Sequence, residues 1–316
     1  MFEAIGWCVL ALALLALGGD SVLKGASGLA RRFGLSAFAT GLLLVAFGTS
    51  IPELAVNLRA LFVGSQSLAL GNAVGSNIVN VGLTLGLAAI AAPLAVRWRA
   101  LGPLLACLVA ATIALIALGY DGVLTRIEGI AFIVAFVAVL AFVLTRSGRE
   151  SPELHATLAG YLDTDTGLGR NLLRFALGGA FLFYGAKLLV THAPVVGLAW
   201  GFTPLITGLI VVAIATAVPE AAAAVAAARR GLGDIVVGHV IGSSLFNLLI
   251  VVGGMAAIRD LPVPDSFVRF ELPAALASAL LLYPMLRRDL QISRAEGWVL
   301  LLAFLAWLAF ELFGVR

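Results

Sequence analysis

The sequence is poor in charged residues. Only 12% of its 316 residues are charged and 62% are apolar, whereas an ordinary soluble domain carries about 25% charged residues. A soluble protein of this length would have too little polar side chain to cover its surface. The composition therefore predicts an integral membrane protein. It excludes a soluble enzyme, a nucleic-acid-binding protein and a disordered chain.

Cysteine is also scarce. Cys8 and Cys107 both lie in apolar runs, which excludes a disulfide framework and a thiolate metal site. The net charge of +3 and the pI of about 9.2 come from scattered residues. Such a small positive balance indicates orientation in a bilayer rather than a polyanionic partner.

Long apolar runs fill most of the chain. A membrane-spanning helix needs about 20 mostly apolar residues, and ten runs meet this requirement: roughly 2–23, 35–62, 67–92, 100–119, 126–145, 171–193, 202–228, 234–257, 268–286 and 294–313. The first run is not expected to be a cleaved signal peptide, because Glu3 stands where such a peptide has basic residues. The polar stretch 146–170 is predicted to be an exposed linker.

The two halves of the chain align without a gap when one is shifted by 167 residues. Pro52 then falls on Pro219 and Glu53 on Glu220, together with many Gly, Thr, Ser and Asn positions. The chain is therefore predicted to contain two copies of a five-span unit. Because five is odd, the second copy enters the membrane from the opposite side, as in the inverted repeats of many transporters. The expected divisions are a first repeat at 1–146, a linker at 147–169 and a second repeat at 170–316, with repeat motifs at about 40–86 and 207–253.

The basic residues predict the orientation. With ten spans, 14 of the 20 Lys and Arg residues fall in loops on one side and 5 on the other, while Lys187 lies within a span. Cytoplasmic loops carry the excess of Lys and Arg. Both termini are thus expected outside the cytoplasm, with the linker inside.

Each repeat places one acidic residue in the middle of a span, at Glu53 and Glu220. A charge at that depth costs at least about 2.5–3.5 kcal/mol unless it is paired or lines a wet cavity. Lys187 cannot pair with both, because its position in the repeat corresponds to Asp20. Two unpaired acids at equivalent places are explained most simply by a bound cation.

Proline and hydroxyl residues surround these acids. Pro52 and Pro219 cannot donate a backbone hydrogen bond, so carbonyl groups of the preceding turns are expected to be partly freed. The oxygen atoms expected near the acids are those of Ala46 (carbonyl), Thr49, Ser50, Ala213 (carbonyl) and Thr216. Carboxylate, hydroxyl and carbonyl oxygens suit Ca²⁺ or Na⁺ and suit soft metals poorly.

The following span of each copy contains glycines four residues apart, Gly71 and Gly75 in the first and Gly238 and Gly242 in the second. Small residues at this spacing allow close approach of helices. That approach is predicted to bring four polar side chains to the acids: Ser76, Asn80, Ser243 and Asn247.

These motifs resemble a known family. GTSIPE followed by GNAVGSNIVN, and ATAVPE followed by GHVIGSSLFN, are similar to the two α-repeats of the sodium/calcium exchanger family, within the cation/calcium antiporter superfamily. The resemblance implies exchange of Ca²⁺ for Na⁺ by alternating access, with Glu53 and Glu220 as the calcium-binding acids. It also implies that the ten-span chain is a compact, prokaryotic-type member of this family. Such a protein lies in the bacterial inner membrane, uses no cofactor and takes Ca²⁺ and Na⁺ as substrates.

The resemblance assigns the remaining site residues. The ligating hydroxyls and carbonyls of the family correspond to these positions: Thr49, Ser50, Thr216, Ser76, Ser243, Ala46 and Ala213. The central polar pair of the family corresponds to Asn80 and Asn247. The chain departs from the family pattern at Ala217, where a serine is usual, and at His239, where an asparagine is usual. Asn247 resembles the potassium-independent exchangers.

Alternatives follow from the missing serine hydroxyl. A Ca²⁺ or other cation/H⁺ antiporter is the second hypothesis, because a proton can also relieve the repulsion between two carboxylates. At a separation of ~5 Å that repulsion is roughly 3 kcal/mol. A cation channel or a membrane enzyme is the third hypothesis. His192 and His239 have no spacing suited to an intramembrane protease, and the sequence leaves a monomer and an oligomer both open.

Overall fold

The computed structural model describes residues 1–32, 50–147, 167–288 and 290–313, and these residues are almost entirely helical. The helices are α1 (Phe2–Arg32), α2 (Ile51–Phe62), α3 (Gln66–Ala91), α4 (Trp98–Leu118), α5 (Arg126–Ser147), α6 (Leu168–Ala199), α7 (Pro204–Arg229), α8 (Gly233–Ile258), α9 (Phe267–Arg288) and α10 (Arg294–Phe313). Within the described residues, eight helices are long and apolar enough to cross a membrane. The predicted all-α membrane architecture of two inverted five-helix repeats is confirmed.

Two helices are longer than the hydropathy pattern predicts. The run 2–23 continues as helix to Arg32, and the run 171–193 is part of a helix from Leu168 to Ala199 that contains Pro194. The reason is that hydropathy locates the apolar part of a helix, whereas its hydrogen-bonded turns continue into the polar interface. Of the predicted span 35–62, the described residues show only its second part, α2.

Four two-residue strands join the loops in pairs. β1 (Leu94–Ala95) pairs with β4 (Gln291–Ile292), and β2 (Val123–Leu124) pairs with β3 (Leu261–Pro262), both antiparallel. The 21-residue helix α4, roughly 30 Å long, separates β1 from β2. The two ladders therefore lie at opposite ends of the bundle, and each joins one repeat to the other.

Helices α1 and α6 pack along one another through glycines. A Cβ at Gly18 would meet the carbonyl oxygen of Gly178 at 2.9 Å, and one at Gly185 would meet that of Ala11 at 3.0 Å. The shift of 167 residues exchanges these two contacts, since Gly18 corresponds to Gly185 and Ala11 to Gly178. The interface is thus related to itself by a pseudo-twofold axis, as an inverted repeat requires.

Side-chain hydrogen bonds cap the N-termini of α5 and α10. Before α5, the Thr125 hydroxyl and amide donate to Glu128 Oε2 at 2.8 and 2.7 Å. Before α10, Ser293 makes the same pair of bonds to Glu296 at 2.8 and 2.7 Å. Both are capping boxes, which satisfy backbone groups that a helix start leaves unpaired.

Helices α3 and α8 form the centre of the bundle. In their most apolar stretches 83% and 78% of the residues are buried, against 28% in α1 and 22% in α10. Each central helix widens into a π-helical turn at the same place in the repeat, Asn80–Leu85 and Asn247–Val252. Such turns occur often at functional sites, because they redirect side chains and backbone groups. The polar residues of α3 and α8 are therefore held inside the protein, away from lipid.

Candidate functional site

The two acidic residues face each other from opposite repeats. Glu53 on α2 is 3% exposed and Glu220 near the middle of α7 is 9% exposed. Their charges are close enough to interact, and Thr216 faces the Glu53 carboxylate while Asn80 faces that of Glu220. Glu53 Oε2 and both carboxylate oxygens of Glu220 are buried without a hydrogen-bond partner among the described residues. Buried polar atoms in this condition are costly, and a cation would satisfy them.

The two prolines act differently in the two repeats. Pro52 lies in the first turn of α2, which begins at Ile51 after Ser50, a position where a missing N–H costs nothing. Pro219 lies inside the continuous helix α7. The Thr216 hydroxyl, one turn earlier, donates to the carbonyl oxygens of Val212 and Ala213 at 3.1 and 3.2 Å. The Ala213 carbonyl, expected to be free, is thus already held by Thr216.

Ser243 is the hydrogen-bonded centre of one half of the site. Its Oγ lies 2.7 Å from Ser50 Oγ and accepts a hydrogen bond from Asn80 Nδ2 at 3.3 Å. The three residues come from α8, from the residue that precedes α2, and from α3. All three are at most 2% exposed. We call this group the Ser243 half; its Asn80 Oδ1 has no hydrogen-bond partner among the described residues.

Ser76 is the equivalent centre of the other half, which we call the Ser76 half. The shift of 167 residues places Ala217 where Ser50 stands and Asn247 where Asn80 stands. Ala217 offers no hydroxyl, and Asn247 donates instead to Asn77 Oδ1 at 3.2 Å. Ser76 Oγ is consequently buried without a hydrogen-bond partner among the described residues.

Asn77 is a site residue that sequence reasoning missed. It accepts from Asn247, and its Nδ2 donates to the carbonyl oxygen of Ser244 on α8 at 3.1 Å. Asn77 therefore ties α3 to α8, one turn from the π-helical segments. Its place as the third residue of the Gly-Ser-Asn motif, with Ser244 at the equivalent position, was the signal that pointed to it.

A histidine borders the acids in the second repeat. His239 Nε2 lies 3.9 Å from Glu220 Oε2, and the two side chains are 10% and 8% exposed. The equivalent residue in the first repeat, Asn72, donates instead to Asn57 Oδ1 at 2.9 Å. Asn57 corresponds to Ala224, which has no side-chain oxygen to receive the bond. His239 thus lies beside Glu220 at the edge of the site.

The glycines on α3 allow close packing, as the sequence suggests. A Cβ at Gly71 or Gly75 would clash with the backbone of Leu205 or Leu209 on α7. For Gly238 on α8, the nearest described atom to its Cβ would be a Leu101 side-chain carbon at an ordinary 3.5 Å. The described residues thus show the predicted close approach between α3 and α7, and the prediction for the second repeat stays a prediction.

Two predicted ligands, Thr49 and the Ala46 carbonyl, lie outside the described residues. Within the described ranges, no three His, Cys, Asp or Glu side chains come together as a metal-binding group. A cation held by Glu53 and Glu220 would need neutral oxygens as well. Of the predicted site residues, contacts join Thr216 to Glu53, Asn80 to Glu220, Ser243 to Ser50 and Asn80, and Thr216 to the Ala213 carbonyl. Ser76 and Asn247 are buried in the same central helices.

A cavity of about 370 Å³ lies beside Glu220. On one side it is lined by α1 from Leu12 to Leu23, including Asp20, and on the other by Pro52, Thr216 and Glu220. Glu220, one acid of the pair, thus borders a cavity between α1 and the two acid-bearing helices.

Inverted repeats with paired polar residues in the middle of the membrane define a secondary transporter. The sequence profile of the family described as "Sodium/calcium exchanger protein" matches residues 3–145 and 170–313. The chain belongs to this family and is a membrane antiporter, which is a class of transporter and not of enzyme.

Relatives cover nearly the whole chain. The inner membrane protein YrbG of Escherichia coli is 32% identical over 98% of this chain and 97% of its own length. The sodium/calcium exchanger MaX1 of Methanosarcina acetivorans is 28% identical over 95% of this chain and 96% of its own. A solved structure of the sodium-calcium exchanger NCX_Mj superposes with a TM-score of 0.68 at 27% identity, covering 100% of this chain and 99% of that one.

Proposed function

We propose that this antiporter exchanges Ca²⁺ for Na⁺ by alternating access, with Glu53 and Glu220 as the charged ligands. The observation that carries the proposal is the pair of buried carboxylates, one from each repeat, with three oxygens that have no hydrogen-bond partner in the described part of the chain. Two carboxylates match the charge of one Ca²⁺ ion. The hydroxyl and amide oxygens around them are the neutral ligands that Ca²⁺ and Na⁺ accept.

The relatives support the choice of ions. MaX1 carries the name sodium/calcium exchanger, and the NCX_Mj structures were obtained after soaks in Na⁺ with Sr²⁺ or Ca²⁺. The proposed ligands here are Glu53, Glu220, Ser50, Thr216, Ser76, Ser243, Asn80 and Asn247, with Thr49 and the carbonyls of Ala46 and Ala213.

The counter-ion is tested by flux. Purified protein in proteoliposomes is expected to take up ⁴⁵Ca²⁺ when Na⁺ is loaded inside and the external solution is free of Na⁺. Uptake should stop when internal Na⁺ is replaced by a large organic cation at the same pH on both sides. Uptake driven by a pH gradient alone, without Na⁺, would contradict Na⁺ coupling.

Uptake driven by a pH gradient alone would support a Ca²⁺/H⁺ antiporter. This is the one alternative that a specific observation favours. Ala217 removes a hydroxyl from the Ser76 half and leaves Ser76 Oγ unpaired among the described residues. A Na⁺ ion in that half would lack a ligand that the Ser243 half offers. A proton needs only a carboxylate oxygen.

We further propose that both termini lie outside the cytoplasm, from the 14-to-5 distribution of Lys and Arg. In a cysteine-free background, His155→Cys in the linker and Tyr120→Cys between α4 and α5 should react from opposite sides. A membrane-impermeant maleimide added to intact cells should label position 120, which is 80% exposed, and spare position 155. Labelling of position 155 instead would reverse the orientation.

A further inference from the structure

We infer that His239 gives this antiporter a nitrogen ligand, so that the pair Glu220–His239 binds divalent transition-metal ions alongside Ca²⁺. This inference rests on the proposed function, because it concerns cations in the same cavity. The inference goes beyond the proposed function because it names a nitrogen ligand in addition to the carboxylates and neutral oxygens. It also names a further class of substrate, the transition-metal ions.

The geometry suits one metal ion. Nitrogen and oxygen ligands lie about 2.1 Å from a first-row divalent ion, so two ligands of one ion are at most about 4.2 Å apart. His239 Nε2 and Glu220 Oε2 are 3.9 Å apart, within that limit but beyond a hydrogen bond. The two atoms are thus near enough to share an ion.

The surroundings favour a bound cation. Both side chains are at least nine-tenths buried, and both Glu220 oxygens lack a hydrogen-bond partner among the described residues. His239 lies four residues before Ser243 on α8, so the two side chains share a helix face. Glu220 also lines the cavity beside α1, which leaves room for water molecules to complete the coordination.

The chemistry of the donor set decides the class of ion. Carboxylate and neutral oxygens suit Ca²⁺ and Na⁺, whereas imidazole suits Zn²⁺, Ni²⁺, Cu²⁺ and related transition-metal ions. The first repeat shows the difference, because Asn72 at the position equivalent to His239 bonds Asn57 and offers no aromatic nitrogen. The second repeat alone therefore provides a mixed oxygen–nitrogen pair.

The test uses Co²⁺, whose spectrum reports its ligands. Co²⁺ bound to the purified protein should show a paramagnetically shifted imidazole N–H proton signal, and excess Ca²⁺ should displace it. His239→Asn, which copies the residue of the first repeat, should abolish the signal and weaken Co²⁺ binding at least about tenfold. His192→Asn is the matched control: His192 stacks on Trp7 at a ring-centroid distance of 5.7 Å, and its loss should leave the signal unchanged.

Transport separates this inference from the proposed function. In proteoliposomes, Co²⁺ should inhibit ⁴⁵Ca²⁺ uptake by the parent protein about tenfold more strongly than uptake by His239→Asn, each measured against the Co²⁺-free rate of the same protein. Equal Co²⁺ inhibition in both proteins, or a Co²⁺ complex without the imidazole signal, would overturn the role of His239. Absence of Ca²⁺ uptake from the parent protein would overturn the proposed function, and the Co²⁺ spectrum would still decide the ligand.

Discussion

The two halves of the site are built on one plan and differ in their hydrogen bonds. In the Ser243 half, Ser50 and Asn80 both bond the central serine. In the Ser76 half, Ala217 offers nothing and Asn247 bonds Asn77 instead, so the central serine keeps a free hydroxyl among the described residues. Both hydroxyls of the Ser243 half thus bond protein, whereas the hydroxyl of the Ser76 half bonds no described residue. An inverted repeat preserves the position of a site while substitution of single residues makes its halves unequal.

The largest expected effect comes from the acids, which the two halves share. Glu53→Gln and Glu220→Gln each remove one of two charges that face a divalent ion while nearly keeping the side-chain size. Each single variant should lose ⁴⁵Ca²⁺ uptake in proteoliposomes at normal expression. Robust uptake by the double variant would show that these acids are not the site. If only one of the two single variants loses uptake, the two acids contribute unequally to Ca²⁺ transport.

The central serines should differ in their contribution to stability. Ser243→Ala removes the hydroxyl that Ser50 and Asn80 both bond, and such a loss costs about 1–3 kcal/mol. Ser76→Ala removes a hydroxyl that bonds no described residue, so the ion-free protein should be destabilised by less than about 1 kcal/mol. Thermal unfolding in detergent without Ca²⁺ or Na⁺ measures both. Equal losses of stability would contradict the difference between the halves.

The smallest effect should come from restoring the missing hydroxyl. Ala217 is buried at 1% exposure. Its equivalent, Ser50, bonds Ser243, so Ala217→Ser should find a partner in Ser76. The Na⁺ concentration for half-maximal Ca²⁺ efflux should fall about threefold to tenfold, since one added oxygen contributes about 1 kcal/mol.

Calcium affinity should change little in that variant, because Ca²⁺ depends more on carboxylate charge. The matched control is Ala224→Ser, a substitution of the same size on the same helix at a position that is 5% exposed. If Ala217→Ser and Ala224→Ser leave the Na⁺ dependence equally unaltered, the missing hydroxyl does not limit Na⁺ binding.

Much of this protein was predictable from the sequence. Runs of about 20 apolar residues reveal membrane helices, because lipid leaves the backbone no other partner than its own turns. The repeat and its two acids follow from the shift of 167 residues, and the odd number of spans per copy implies inversion. These properties depend only on the order of residues along the chain, so they can be predicted without knowing how the helices pack.

The pairing of side chains between repeats was decided by the tertiary structure alone. Ser50 and Ser243 are separated by 193 positions, and no periodicity indicates that their hydroxyls meet while Ser76 has no such partner. The packing of α8 against α7 brings His239 to Glu220, whereas its equivalent Asn72 bonds Asn57. Helix rotation and tilt result from the packing of all the side chains together, so they cannot be inferred from any one segment.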